Sequence, residues 1–292
     1  LVVDDGSSDG TPGLLESYRK KDLRIHFIHT RNNGVVAARK RGVTAATGQY
    51  LFFLDSDDEL LPDALFLLFR EAIRTGADIV TGGFIRIFPE GRQIERTLPV
   101  QGKVSKPEFV AALFQQCSFY LWGRLYRKTA FTPGLWDLPP TMILGEDMAI
   151  LSRLVDKAGS VAVISVTVYR YYYREESVSA GRETEAKVLS LYEASRFAEK
   201  LLKPYCADKT GQLALACFIA DQVYKYFLSD CPFALYREDV KRRLAEYWRP
   251  EVKAEVMRRN IKIRILLDIA IRYPWLAKKI CRLYRYRRYK RI

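Results

Sequence analysis

LFFLDSDD, residues 51–58, is a run of four apolar residues that ends abruptly in Asp55, Ser56, Asp57 and Asp58. The apolar run reads as a strand buried on both faces, as in a parallel sheet. The carboxylates emerge where that strand leaves the core, and in open α/β sheets ligands bind beyond the carboxyl ends of strands. Three carboxylates within four residues repel one another unless a cation sits among them. A divalent metal with hard oxygen ligands is one remedy. A solvated acidic turn leading into a helix that starts at Pro62 is the other.

Upstream, Leu1-Val2-Val3 is a short strand running into Asp4-Asp5-Gly6-Ser7-Ser8-Asp9-Gly10. Thr11-Pro12 then reads as the cap and first residue of a helix ending near Lys21. A strand over Arg24–Ile28, a turn at Asn32-Asn33-Gly34 and a helix over Val35–Thr47 lead into the central strand, Gln49–Leu54. Downstream, a helix runs from Pro62 to Thr75 and a strand over Ala77–Thr81. Phe84–Phe88 and Ile94–Leu98 read as a hairpin about Pro89-Glu90-Gly91. Ser105 and Glu108 have capping-box spacing for a helix reaching Cys117. Leu144-Gly145-Glu146-Asp147-Met148 opens a further helix, and strands follow over Val161–Val166 and Val168–Tyr173. From Glu183 the pattern is helical, with segments near 184–204, 211–229, 236–248, 251–272 and 275–288. The shift near 180 divides the chain into 1–180, an α/β domain, and 181–292, a helical region.

The 292 residues suffice for a large core, and 49% hydrophobic with 28% charged content is that of a folded soluble protein. No apolar run is long enough to cross a bilayer. Five scattered cysteines without a CxxC pair suggest neither a zinc cage nor a disulfide framework, so a cytoplasmic location is expected. His26 and His29, the only histidines, would point to opposite faces of a strand, which argues against a two-histidine metal site. No GxGxxG or GxxxxGK[ST] occurs, which removes dinucleotide and P-loop readings. From Arg249 to Ile292, 15 Lys and Arg face three acids, a net +12, so the preceding 248 residues carry only +2.

VDDGSSDGT at 3–11, NNGVVAARKRG at 32–42, GQYLFFLDSDD at 48–58 and LGEDM at 144–148 occur in that order. Together they resemble the family 2 glycosyltransferases of the GT-A fold. Trp122-Gly123-Arg124-Leu125-Tyr126 and YYYREESVS at 171–179 resemble that family's bacterial polysaccharide members. The resemblance spans roughly residues 1–180. It implies an open mixed α/β sheet flanked by helices that binds a nucleotide-diphosphate sugar, usually a UDP-sugar. By resemblance, Asp5 would meet uracil with Asp4 in support, and Arg39 would face the nucleotide or diphosphate. Lys40 stands where the family has Asn, a departure from the pattern. Asp57 matches the metal-ligating position of the DxD motif, with Asp55 on the sugar or metal side and Mg²⁺ or Mn²⁺ as cofactor. Asp147 matches the catalytic base, with Glu146 beside it, and Trp122 is an acceptor or supporting residue. The implied reaction is a single inverting displacement onto a saccharide or lipid-linked acceptor in surface polysaccharide synthesis.

Each motif also has an ordinary reading. Asp4-Asp5 and Glu146-Asp147 could be turn and first-turn helix acids, Arg39 a solvated helix residue, and Trp122 and the tyrosines at 169 and 171–173 packing residues. Family members place another strand and helix ahead of the DDGS segment. The expectation is that this sequence lacks that unit and that the chain alone is weak or inactive. Two other functions remain: a sugar-phosphate nucleotidyltransferase, and a catalytically inactive, membrane-associating binding module. The aromatic and basic residues of 249–292 suggest a peripheral contact with anionic lipid on the inner face of the membrane. They could also form a solvated helix packed on the body. Nucleic acid ranks low as a partner, since no recognised binding motif accompanies the basic run.

Overall fold

Alternation along three strands decides which side of the sheet each helix covers. Ile79, Tyr126, Val161 and Val163 point into one buried cluster, and Val80, Leu125 and Ala162 into the other. The computed structural model describes residues 1–174, 184–228, 237–273 and 275–281. Its strands are β1 (Val2–Asp4), β2 (Phe27–His29), β3 (Tyr50–Phe52), β4 (Glu59–Leu60), β5 (Ile79–Ile87), β6 (Gln93–Arg96), β7 (Gly102–Val104), β8 (Arg124–Arg127) and β9 (Val161–Tyr172). The helices of the α/β part are α1 (Thr11–Lys21), α2 (Val35–Ala45), α3 (Ala64–Thr75), α4 (Lys106–Gln116) and α5 (Glu146–Lys157). Then follow α6 (Glu185–Leu202), α7 (Lys209–Leu228), α8 (Arg237–Tyr247), α9 (Pro250–Arg259), α10 (Ile261–Arg272) and a helical stretch at 275–281.

The main sheet has the order β3-β8-β5-β9-β4, with β6 added to β5 and β7 to β9. It is mixed: β5 and β9 run parallel, while β3–β8 and β5–β8 are antiparallel. β1 and β2 form a separate parallel pair. The central strand differs from its sequence reading. β3 is half-buried rather than buried on both faces, and its partner β8 is antiparallel. The apolar run reflects packing against both clusters from a strand only partly covered. Leu51 and Phe53 lie on one cluster, Tyr50 and Phe52 on the other.

Strands expected at 77–81 and 84–88 are one continuous strand, β5, passing through Gly82-Gly83. A Cβ on Gly82 would lie 2.5 Å from a Val168 methyl, and one on Gly83 2.6 Å from the Thr97 methyl. The glycines therefore permit close approach of neighbouring chain and do not mark a break. Similarly, the strands expected over 161–166 and 168–173 are one strand, β9, which ends at Tyr172 and is irregular in register where it pairs with β5. α3 covers one face of the sheet with Ala64, Leu68 and Ala72. Leu68 is fully buried, and replacing it by Ala would cost ~2–5 kcal/mol. α4 begins with both arms of the capping box: Glu108 N–H donates to Ser105 Oγ, and Ser105 N–H to Glu108 Oε2.

The other face carries α4 and α5 in one cluster with the C-terminal helices. The helix expected over 251–272 is broken at Asn260, which leaves helical geometry and caps α10 by accepting from Lys262 N–H. Within the helical region Arg243 is fully buried, with Glu199 accepting from its guanidinium and from Tyr247 OH. Pairing of this kind is what lets a charge stay out of water. The sequence-expected residues at 175–179 and 282–288 lie outside the described residues.

Candidate active site

Three segments meet near the carboxyl end of β3, namely α2, the DSDD turn and the start of α5, while the turn after β1 packs against the loop that leads into α2. Gly6 in the turn after β1 has φ +86°, and a Cβ on it would lie 2.7 Å from Asn32 N, so DDG can pack against the NNG loop only with glycine. Asp4 is buried; its carboxylate accepts from Ser7 N–H at 2.9 Å and faces His29 Nδ1 at 2.6 Å. Hydrogen bonds from Ser7 and then His29 hold it down at about 2. Asp5 accepts from Asn33 N–H and Gly34 N–H, the latter at 2.7 Å, just ahead of α2. The carboxylate thus sits at the positive end of that helix.

α2 carries Arg39 to the centre. One guanidinium nitrogen, Nη1, donates to Asp147 Oδ1 at 2.5 Å and to Glu146 Oε1 at 3.3 Å, while Nη2 donates to Asp55 Oδ1 at 3.2 Å. Arg39 is therefore not a solvated helix residue; its side chain is only 11% exposed. Asp147 also accepts from Leu121 N–H at 3.3 Å. Burial raises its pKa to about 6, against the opposing pull of Arg39. One cation shared among three carboxylates leaves each under-compensated. Asp55 is raised for the same first cause, burial.

Asp57 behaves differently. It is 44% exposed, and its ion pair is a long one, 3.8 Å to Arg174. Asp58 turns inward, accepting from Tyr172 N–H and Tyr169 OH, both at 2.9 Å, and burial raises its pKa to about 6. Tyr169 OH also accepts from Asp55 N–H at 3.2 Å. It pins the DSDD turn from beneath, which a reading as a strand packing residue does not convey. No sequence pattern announces that role; alternation puts Tyr169 on a buried face but not its hydroxyl under residue 55.

α5, which opens with Glu146 and Asp147, is held by the C-terminal region. Gly145, at φ +91°, precedes it, and a Cβ there would lie 2.7 Å from Ala194 Cβ on α6. Ser190 on α6 accepts from Leu144 N–H and donates to Leu144 O. These α6 contacts were not legible as site residues. Trp122 is stacked between Tyr120 on one side and Tyr169 and Tyr171 on the other, with centroids 3.8, 4.6 and 5.4 Å away. Both ring faces are covered, so it forms wall rather than an open platform.

Among the described residues no three His, Cys, Asp or Glu side chains form a self-sufficient metal cage. The donor set still suits a hard cation. Magnesium commonly takes one or two carboxylates and completes its shell with waters and substrate phosphates. Asp57 is open to such a partner, with Asp55 two residues away.

The mixed sheet, its flanking helices and the carboxylate turn at a strand end define a glycosyltransferase fold. The glycosyl transferase family 2 model matches residues 1–158, and the chain belongs to that family. A putative glycosyltransferase, EpsH of Bacillus subtilis (strain 168), is 29% identical over 183 residues, 61% of this chain and 53% of its own length. The succinoglycan biosynthesis protein ExoO of Rhizobium meliloti (strain 1021) is 29% identical over 188 residues, 61% of this chain and 53% of its own. The chain thus spans about half the length of these curated relatives. The crystal structure of S. aureus TarS 1–349 in complex with UDP-GlcNAc matches with TM-score 0.66 at 19% identity, over 98% of this chain and 82% of that one.

Proposed function

We propose that this chain forms the catalytic part of a metal-dependent, inverting glycosyltransferase. It would move a sugar from a UDP-sugar to a saccharide or lipid-linked acceptor in surface polysaccharide synthesis. The observation that carries this reading is the Arg39 fork. It draws the carboxylate of the strand-end turn, Asp55, and the carboxylate at the start of α5, Asp147, onto one guanidinium. Donor-side and acceptor-side groups are thereby within one side chain's reach. The likeness to ExoO, a succinoglycan biosynthesis protein, supports the polymer class. TarS structures holding UDP-GlcNAc and UDP support the donor class.

In this reading Asp147 accepts the acceptor hydroxyl's proton as that oxygen attacks the anomeric carbon. The new C–O bond forms on the face opposite the breaking bond to the diphosphate, and the diphosphate departs with the electron pair. A carboxylate raised to about 6 is a stronger base than an ordinary one and is still ionised at neutral pH. Arg39 must yield Asp147 to the acceptor, and the diphosphate offers its guanidinium a new bidentate partner. Asp57 and Asp55 would hold Mg²⁺ or Mn²⁺, which would neutralise the leaving diphosphate. Asp5 and Asp4 shape the turn that would border the uracil. Among the described residues Cys117, Cys206, Cys217 and Cys281 are free thiols, which fits a cytoplasmic site of action.

The test is calorimetric titration with UDP, with and without Mn²⁺, on this chain and on one extended upstream. Metal-dependent binding that Asp57→Ala removes supports the reading. Absence of binding by both chains rejects it.

A further inference from the structure

α10 and the helical stretch at 275–281 pack one side into the protein and leave the other in water. Leu266, Leu267 and Ala270 are buried, as are Ala277 and Cys281. On the outer side lie Ile261, Ile265, Ile271, Tyr273, Trp275 and Ile280, all exposed. Residues 261, 265, 268 and 272 recur at helical spacing and line that outer face of α10. Asp268 is the acid among them. Trp248 Nε1 and Lys253 Nζ engage it at 2.8 and 2.9 Å, so its charge is met within the fold. Exposed Lys262, Arg272 and Lys279 stand among the apolar groups. No helix of the described residues is long and apolar enough to cross a membrane.

We propose that this face binds an anionic lipid surface, lying in the plane of the headgroups. The inference does not depend on the transfer reaction above. Charge complementarity selects the partner, because exposed Lys262, Arg272 and Lys279 stand on this face while its acid, Asp268, is met within the fold. A second copy would bring like charge against like charge. A polynucleotide would satisfy the cations but leave the isoleucines in water. The headgroup layer serves both, taking aliphatic and aromatic side chains to a depth of ~5–10 Å and cations at the phosphates.

The test uses the full chain. It is mixed with vesicles of phosphatidylcholine alone, or with about 30% phosphatidylglycerol, and sedimented. The expected result is binding to the anionic vesicles only, lost near ~0.5 M salt as screening shortens. Trp275 is 64% exposed, whereas Trp122, Trp136 and Trp248 are buried. Tryptophan emission should therefore shift to the blue on binding, and Trp275→Phe should abolish the shift. Arg272→Ser and Lys279→Ser should each weaken partitioning roughly fivefold. Ile261→Ser with Ile265→Ser should weaken it about tenfold or more. These positions are exposed, and unchanged circular dichroism and melting would verify folding. No sedimentation with anionic vesicles, or binding that these substitutions leave intact, would overturn the assignment. So would their abolishing self-association or oligonucleotide binding instead.

Discussion

Arg39 Nη1 lies 2.5 Å from Asp147 Oδ1, although 108 residues separate them in the chain. The same guanidinium reaches Asp55. This contact ties the two halves of the candidate site together, because it joins the helix after the NNG loop to the helix that opens with Glu146 and Asp147. It also occupies one oxygen of the Asp147 carboxylate.

Arg39→Ala leaves Asp55, Glu146 and Asp147 without their shared cation. Breaking a buried pair costs several kcal/mol, and this one is partly open, so about 2 kcal/mol is expected. In a protein of this size the melting temperature should fall by ~4–8 °C. The deficit should shrink on acidification, as the stranded carboxylates take up protons. A deficit that does not change between pH 7.5 and pH 5.5 would contradict this account. Arg39→Lys keeps the charge but not the fork and should fall between the two.

Asp147→Asn should lower the transfer rate ~10²–10⁴-fold while leaving UDP affinity unchanged. In the parent the rate should decline as pH falls through about 6, where Asp147 takes a proton. The stability effect has the opposite sense. A carboxyl raised in the fold adds stability that is complete below its unfolded value near ~4 and lost as pH rises through about 6. Steady-state rates and melting curves across pH 4–8 read both; a rate that ignores pH there rejects Asp147 as the base.

Tyr169→Phe removes the hydroxyl that donates to Asp58 and accepts from Asp55 N–H. A loss of ~1–2 kcal/mol is expected, since a buried acceptor and a backbone donor each lose a partner. Metal-dependent UDP affinity should weaken with it, because the DSDD turn loses its support. Undiminished affinity in calorimetry would reduce Tyr169 to a packing residue.

Gly145→Ala should be costly twice over. Its φ of +91° disfavours any side chain, and the new methyl would lie 2.7 Å from Ala194 Cβ. A loss of ~1–3 kcal/mol and a slower transfer step are expected. Adding Ala194→Gly should recover the clash but not the backbone strain. Full recovery in that double variant would show that strain plays no part.

Removing divalent metal with a chelator should abolish the portion of UDP affinity that Asp57→Ala also removes. The two losses should not add, because they act on one site. Additive losses would place the metal elsewhere.

Sequence alone was enough for the ordered motifs and for local signals such as caps. Capping signals such as Ser105 with Glu108 act within one turn, whereas the facing of Ile79 against Val80 was decided only by the packing of the sheet. The carboxylate turn at 55–58 was equally legible as the end of a strand. The break at Asn260 was not, because flanking apolar periodicity continues across a residue whose cap is visible only in backbone geometry. Nor was the pass of β5 through Gly82-Gly83, which depends on Val168 and Thr97 from elsewhere in the chain. The tertiary structure alone decided that Arg39 meets Asp55 and Asp147, that Tyr169 sits under the turn, and that α6 holds α5 at Gly145. Those contacts join residues far apart in sequence. Their geometry follows from how whole elements pack, which no local pattern of residues encodes.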